Sequence, residues 1–297
     1  MTSAISVNGL GKRFGQKWAL RDCTFEIPEG RVCGLVGANG AGKTTLLRML
    51  VGLSQATEGT AQVTGSAPRD DADFLAQIGY LAQEIPLYRR WNAEEHVRMG
   101  AHLNQTWDAA FVRDRLRSLR IPLDQRVGTM SGGQRAQVAL ALALAKHPRV
   151  LLLDEPVAAL DPLARRDFLS TLSEAVADGN LTVMLSSHLV ADLERVCDYL
   201  VVLADSRCVL TSDLEDVLAS HRLLTGPRRD TSALERDHTV LRIETTHRQV
   251  TVWVRLNGPL HEPTWESSDL NLEEIMLAYL GMGSREHHDR VLSEVNS

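Results

Sequence analysis

The sequence predicts an α/β protein built around a mainly parallel sheet. Two observations carry that expectation. From Val150 onward, short apolar strands alternate with helical segments, the pattern of a parallel sheet covered by helices. Earlier, a buried-strand pattern at Arg31–Val36 runs into a glycine-rich loop and then an amphipathic run, Thr44–Val51. Strand, loop and helix in that order form the setting of a phosphate-binding loop.

Taken in order, the 297-residue chain opens with short alternating strands, Ile5–Leu10 and Leu20–Ile27, about a turn-rich Gly11–Gly15. It turns again at Pro28-Glu29-Gly30. Residues 84–148 read as mostly helical, with apolar residues at helical spacing in Glu94–Leu103 and Ala109–Leu119. The later strands are Val150–Leu153, Thr182–Ser186 and Tyr199–Leu203, with helices over Pro162–Ala177 and Ala191–Cys197. Composition shifts near Leu218. Thr225–Asp230 reads as a loop or linker, Thr239–Glu244 and Gln249–Leu256 as a β-hairpin, and Leu270–Leu280 as an amphipathic helix. Gly281–Ser297 reads as a frayed tail. The expected division is a main domain over residues 1–217, with a helical subdomain at about 84–148, and an accessory region over residues 218–297.

Composition narrows the class. The chain is 44% hydrophobic and 24% charged, ordinary for a soluble globular protein. A net charge of −6 argues against a nucleic-acid partner, which calls for a basic surface. The longest uninterrupted apolar run, Val138–Ala145, falls far short of the roughly 20 residues of a spanning helix. The N-terminus lacks the basic start and apolar stretch of a signal peptide. Cys23, Cys33, Cys197 and Cys208 show no metal-ligand spacing, which points to reduced thiols in a cytosolic protein. Of the four lysines (Lys12, Lys17, Lys43 and Lys146), one stands inside the strongest motif.

That motif is Gly37-Ala-Asn39-Gly40-Ala-Gly42-Lys43-Thr44, followed by Thr45, and it fits G-x-x-x-x-G-K-[ST] throughout. Glycines let the backbone turn tightly, so that successive N–H groups point at a phosphate. The following helix adds its positive N-terminus. Lys43 suits the β- and γ-phosphates and the Thr44 hydroxyl suits Mg²⁺. The expectation is binding and hydrolysis of MgATP; the loop alone leaves kinase, GTPase and transport ATPase open.

Val150-Leu-Leu-Leu-Asp154-Glu155 is an apolar strand ending in two acids. They emerge at the carboxyl edge of the sheet, where ligands of open α/β sheets bind. Asp154 suits the Mg²⁺ shell, and Glu155, one residue further out, suits the polarisation of an attacking water. Upstream, Met130-Ser131-Gly132-Gly133-Gln134-Arg135 opens a small-residue helix, Ala136–Lys146. Its hydroxyl, glycines and helix N-terminus make a second anion-binding surface. One chain holding one ATP has no evident use for two.

The combination resembles the ATP-binding subunits of ABC transporters. The pattern comprises the phosphate loop, Gln83 in Gly79-Tyr-Leu-Ala-Gln83, Ser131-Gly-Gly-Gln134, the strand to Asp154-Glu155, Ala159-Leu160-Asp161, and His188 in Ser186-Ser-His188-Leu. These elements stand in the family's order over about residues 3–215. The resemblance implies the ABC class of phosphate-loop ATPase, with an N-terminal antiparallel β subdomain, a helical subdomain and a small α+β C-terminal extension. It implies two subunits paired head to tail, so that Ser131, Gly133 and Gln134 contact the ATP held by the other. Gln83 would sense Mg²⁺ and the attacking water, His188 would hold the γ-phosphate and orient Glu155, and Asp161 would communicate across the dimer. Phe14 is the best match to the family's adenine-stacking aromatic, ahead of Trp18. Met130 stands where Leu is common, a volume-conserving swap, and Val157-Ala158-Ala159 replaces a more polar stretch.

The resemblance further implies a multi-span membrane permease as partner, placing the protein peripherally on the inner face of the cell membrane. Leu87, Tyr88 and Trp91 are candidate contacts to that permease. Asp269–Gly281 resembles the closing helix of exporter ATPases for drugs, antibiotics or bacteriocins, so export is the expected direction. The alternatives are the ATPase of an import system and a non-transport ABC ATPase acting on ribosomes or DNA. The short stretch between Gln83 and Ser131 leaves no room for the long coiled coil of the DNA-repair type.

Overall fold

In the computed structural model, residues 2–177, 181–260 and 264–281 are described. The chain begins with two long antiparallel strands, β1 (Ser3–Phe14) and β2 (Lys17–Pro28), then β3 (Val32–Gly37) and helix α1 (Lys43–Leu50). There follow β4 (Glu58–Val63), α2 (Ala72–Ala76), β5 (Ile78–Leu81), α3 (Ala93–Leu103), α4 (Ala109–Ser118) and α5 (Gly132–Leu144). The second half runs β6 (Val150–Asp154), α6 (Pro162–Val176), β7 (Thr182–Ser187), α7 (Val190–Leu193), β8 (Tyr199–Ala204), β9 (Arg207–Asp213) and α8 (Leu214–Ser220). The chain continues through β10 (His221–Pro227), α9 (Ser232–Asp237), β11 (Thr239–Thr245), β12 (Gln249–Arg255), β13 (Glu266–Asp269) and a helix over 272–281, α10.

A six-stranded sheet in the order β5-β6-β7-β3-β8-β9 forms the centre. Its first five strands are parallel and β9 closes it antiparallel to β8. Every residue of β3, β6 and β7 is buried, because helices cover both faces of a parallel sheet. On one face α1 packs with β1 and β2 around Leu46, Leu50, Phe25 and Ile27. On the other, α5 and α6 pack through Leu140, Phe168 and Leu172. The fold is therefore the expected α/β one.

Strand order also positions the chemistry. Since β5, β6, β7 and β3 are adjacent and parallel, the loops after Leu81, Asp154, Ser187 and Gly37 leave the sheet at the same edge. That edge is where open α/β sheets bind their ligands.

The remaining units are local. The first hairpin is longer than its sequence pattern indicates: it turns at Gly15, whose φ is +58°, rather than across Gly11–Gly15. β1 also pairs with β4, completing a three-stranded antiparallel sheet. The helical region packs α3, α4 and α5 around Val97, Leu116, Met130 and Val138, while residues 84–92 are not helical. α7 stops at Leu193 instead of reaching Cys197.

Beyond α8, β11-β12-β10-β13 form a four-stranded antiparallel sheet. The expected linker at Thr225–Asp230 is a correction: Thr225, Gly226 and Pro227 end β10, an interior strand. Pro227 occupies the last paired position, opposite Gln249, and a side chain at Gly226 would meet the Trp265 ring at 3.2 Å, so both residues are accommodated. α10 adds Leu272, Ile275, Met276 and Tyr279 to the core on the α5–α6 face. The tail expected to fray lies, from residue 282 on, outside the described residues. The four cysteines are free, and burial raises all their thiol pKa values, Cys208 to about 12.

Candidate active site

The loop after β3 needs its glycines at defined places. A side chain at Gly37 would lie 2.8 Å from the Leu203 carbonyl, and one at Gly42 would lie 2.4 Å from that of Ala19. Gly42 also has a φ of +104°, which L side chains rarely adopt. It caps α1 with no side-chain hydrogen bond, leaving the first-turn amides and the helix dipole to an anion. The loop wraps a cleft of about 370 Å³. Asn39, Gly40, Gly42, Lys43, Thr44 and Thr45 line it from the loop, and Gln83, Glu155 and His188 from the neighbouring strand ends. Gly37 sets the loop's entry but is not part of the wall.

Lys43 is 5% exposed. Its Nζ donates to the Gly37 carbonyl at 2.7 Å and stands 3.3 Å from Glu155 Oε1. Glu155 is the first residue past β6 and takes a φ of +48°, uncommon outside glycine. His188 Nδ1 lies 3.2 Å from Glu155 Oε2. Below them, Ser186 Oγ donates to Asp154 Oδ1 at 3.0 Å and accepts from the Glu155 amide at 2.8 Å. Register explains the contact, because Asp154 pairs with Ser186 across β6 and β7.

Asp154 is 1% exposed, and its Oδ2 has no hydrogen-bond partner. A buried acceptor left so costs about 1–3 kcal/mol, so this oxygen is well suited to a hydrated cation. With the Thr44 hydroxyl and the Gln83 amide in the cleft wall, the donor set is all oxygen, as Mg²⁺ prefers. No group of three or more His, Cys, Asp or Glu among the described residues makes a dedicated metal cage. Mg²⁺ takes few protein ligands and keeps waters and phosphates, so the residues fit the ion.

Other expected residues stand apart from this cleft. Ser131, Gly133 and Gln134 line a separate recess of about 200 Å³, together with Asp161. Ser131 caps α5: its Oγ accepts from the Gln134 amide and Gln134 Oε1 accepts from the Ser131 amide, a reciprocal capping box. Asp161 caps α6, accepting from the Leu163 and Ala164 amides. Phe14 does not line the cleft. The longer hairpin carries it to its tip, where it is 58% exposed beneath Lys12. Trp18 is flanked by the guanidiniums of Arg13 and Arg21. Sequence reading missed two participants. Ala19 lines the cleft from β2 and carries no chemical signal. Ser186 joins the two acids, and only strand register reveals it.

Comparison with known proteins places this arrangement. A family model described as "ABC transporter" matches residues 20–158. Phosphonates import ATP-binding protein PhnC 1 of Natronomonas pharaonis is 38% identical over 235 residues, spanning 72% of this chain and 98% of its own. The ABC transporter ATP-binding protein YtrB of Bacillus subtilis is 24% identical over 286 residues, 93% of this chain and 98% of its own. A solved ATP-binding subunit of an ABC transporter superposes with a TM-score of 0.65 at 29% identity, covering 73% of this chain and 92% of that one. The likeness to exporters expected from Asp269–Gly281 is not supported, since PhnC 1 and other similar relatives are import proteins by name.

Proposed function

The chain belongs to the ATP-binding family of ABC transporters and is an ATP hydrolase, and from that premise we propose that two copies share two MgATP head to tail and drive a separate membrane permease. The observation that carries this is the division of anion-binding surface. One cleft gathers Lys43, Gln83, Glu155 and His188 about the phosphate loop, while Ser131, Gly133 and Gln134 occupy another recess. The second recess then serves the ATP of the other copy, and the pairing is of the closed, two-fold kind.

In this reading the loop amides of Asn39–Thr45 hold the polyphosphate, Lys43 bridges its β- and γ-phosphates, and Glu155 takes the proton of the attacking water. His188 and Gln83 place that water and the γ-phosphate. Thr44 and Asp154 would hold Mg²⁺, which when bound would supply neutralising charge to the phosphate oxygens. Phe14, exposed at the hairpin tip, serves adenine. Changing Glu155→Gln should lower ATP turnover by about 10²–10⁴-fold while ATP binding is retained. Wild-type turnover in that variant contradicts the role.

Direction belongs to the membrane chain, which selects the cargo. The import relatives favour an import system over the export read from the C-terminal helix. No helix of the described residues is long and apolar enough to cross a membrane, and the proposal seats the subunit on the inner membrane face through its permease. Division of the chain into a nucleotide-binding unit, residues 1–217, and an accessory region, residues 218–297, is part of the same proposal. Co-purification with a multi-span membrane chain supports it; association with ribosomes or DNA instead overturns it.

A further inference from the structure

Near the cleft, a buried carboxylate and a partly buried guanidinium each keep a buried polar atom with no hydrogen-bond partner. Arg165 lies one turn into α6 and Asp192 lies in α7. Asp192 is 5% exposed. Neither its Oδ2 nor Arg165 Nε has a hydrogen-bond partner. The two atoms approach only to 3.8 Å, whereas a charge-assisted N–H···O bond closes to about 2.7–2.9 Å. Burial pushes the Asp192 carboxyl up, opposed by the charges of Arg165, Arg195 and His188. The pair is formed but slack.

Its position joins two parts of the site. α6 starts at Asp161, whose backbone carbonyl accepts from the Arg165 amide at 2.9 Å. Asp161 shares the recess of Ser131 and Gly133 with Leu163, which is 61% exposed. At the other end, α7 starts just after His188, and the Asp192 amide donates to the Leu189 carbonyl at 3.3 Å. His188 is the residue that meets Glu155. One ion pair thus connects the first turn of α6 to the segment that follows His188.

We propose that Arg165 and Asp192 are a positioning latch, drawn tight when a second copy engages the start of α6, that seats His188 against Glu155 and so makes hydrolysis conditional on pairing. This rests on the reading of His188 and Glu155 given above. Neither residue lines the phosphate-loop cleft, so loss of the pair affects turnover and spares nucleotide affinity.

The test uses the full chain and compares Asp192→Asn, Arg165→Gln, Arg165→Lys, His188→Ala and the double variant Asp192→Asn/His188→Ala. Asp192→Asn should lower kcat by about tenfold or more with KM for ATP and the thermal midpoint little changed, and Arg165→Lys should restore most of what Arg165→Gln loses. The double variant should be no slower than His188→Ala, because groups acting as a unit are not additive. Wild-type kcat in Asp192→Asn overturns the latch, as do losses that multiply in the double variant. Arg165→Gln, at the less buried partner, carries the same comparison if Asp192→Asn does not fold. Were His188→Ala itself to turn over normally, the site reading would fail; a slow His188→Ala beside a normal Asp192→Asn defeats the latch alone.

Discussion

At the residue scale the site depends on backbone conformations that few side chains tolerate. Gly42 combines a φ of +104° with a neighbour that would sit 2.4 Å from any added Cβ. Gly42→Ala should cost about 1–3 kcal/mol of strain and abolish ATP binding, measurable by nucleotide titration and thermal unfolding. Ser186 offers the converse case. Ser186→Ala removes the donor to Asp154 Oδ1 and the acceptor of the Glu155 amide, so it should slow turnover by about tenfold, an effect of about 1.4 kcal/mol. Steady-state kinetics against wild type checks it. The loop glycines were legible in the sequence because their requirement is local and their spacing fixed. Ser186 was not, since its role follows from the pairing of β6 with β7, and neither was the extent of the first hairpin, because the length of a hairpin is set by pairing rather than by composition.

Elements follow the same division. α3 and α4 were readable from apolar spacing, α5 from the small-residue run behind Ser131, and α6 from the alternation of helices with strands, while the cap that Asp161 supplies to α6 came only from the structure. β10 was hidden because Gly226 and Pro227 mark a break in sequence, and only the partner strands and Trp265 explain why they remain in a sheet. That strand also carries His221, fully buried, with Nδ1 2.6 Å from the Val217 carbonyl and Nε2 3.0 Å from the Tyr279 hydroxyl of α10. Burial lowers its pKa below the ordinary value, and Arg255 and Arg222 add to the effect. The protonated form therefore favours the unfolded chain, whose histidine titrates near about 6.5. Stability from this group is full above that pH and is lost as pH falls through it toward the lowered folded value. The thermal midpoint should drop over that range, and His221→Asn should flatten the drop; an unchanged slope in the variant contradicts the assignment. Loss of the α5 cap in Ser131→Ala should cost about 1 kcal/mol in thermal unfolding, a small penalty beside its expected effect on turnover.

For the whole molecule, the consequence of strand order on the proposed reading is that each chain carries half of each site. Four parallel strands bring Lys43, Gln83, Glu155 and His188 to one edge, while α5 and α6 present Ser131, Gly133 and Asp161 elsewhere on the same chain. On this account the accessory sheet and α10, sharing a core with α5 and α6, steady the cassette without entering its chemistry. Removing residues 218–297 should therefore lower the thermal midpoint, because α10 leaves apolar core uncovered, while leaving ATP affinity in place. The central claim, that each ATP is hydrolysed between two copies, is tested most directly by mixing two inactive variants. Lys43→Ala breaks the phosphate loop and Ser131→Arg breaks the facing segment. Equal parts of the two should regain activity, to about a quarter of the wild-type rate, because half the pairs are mixed and each mixed pair holds one intact composite site. A mixture as inactive as either variant alone would contradict the account.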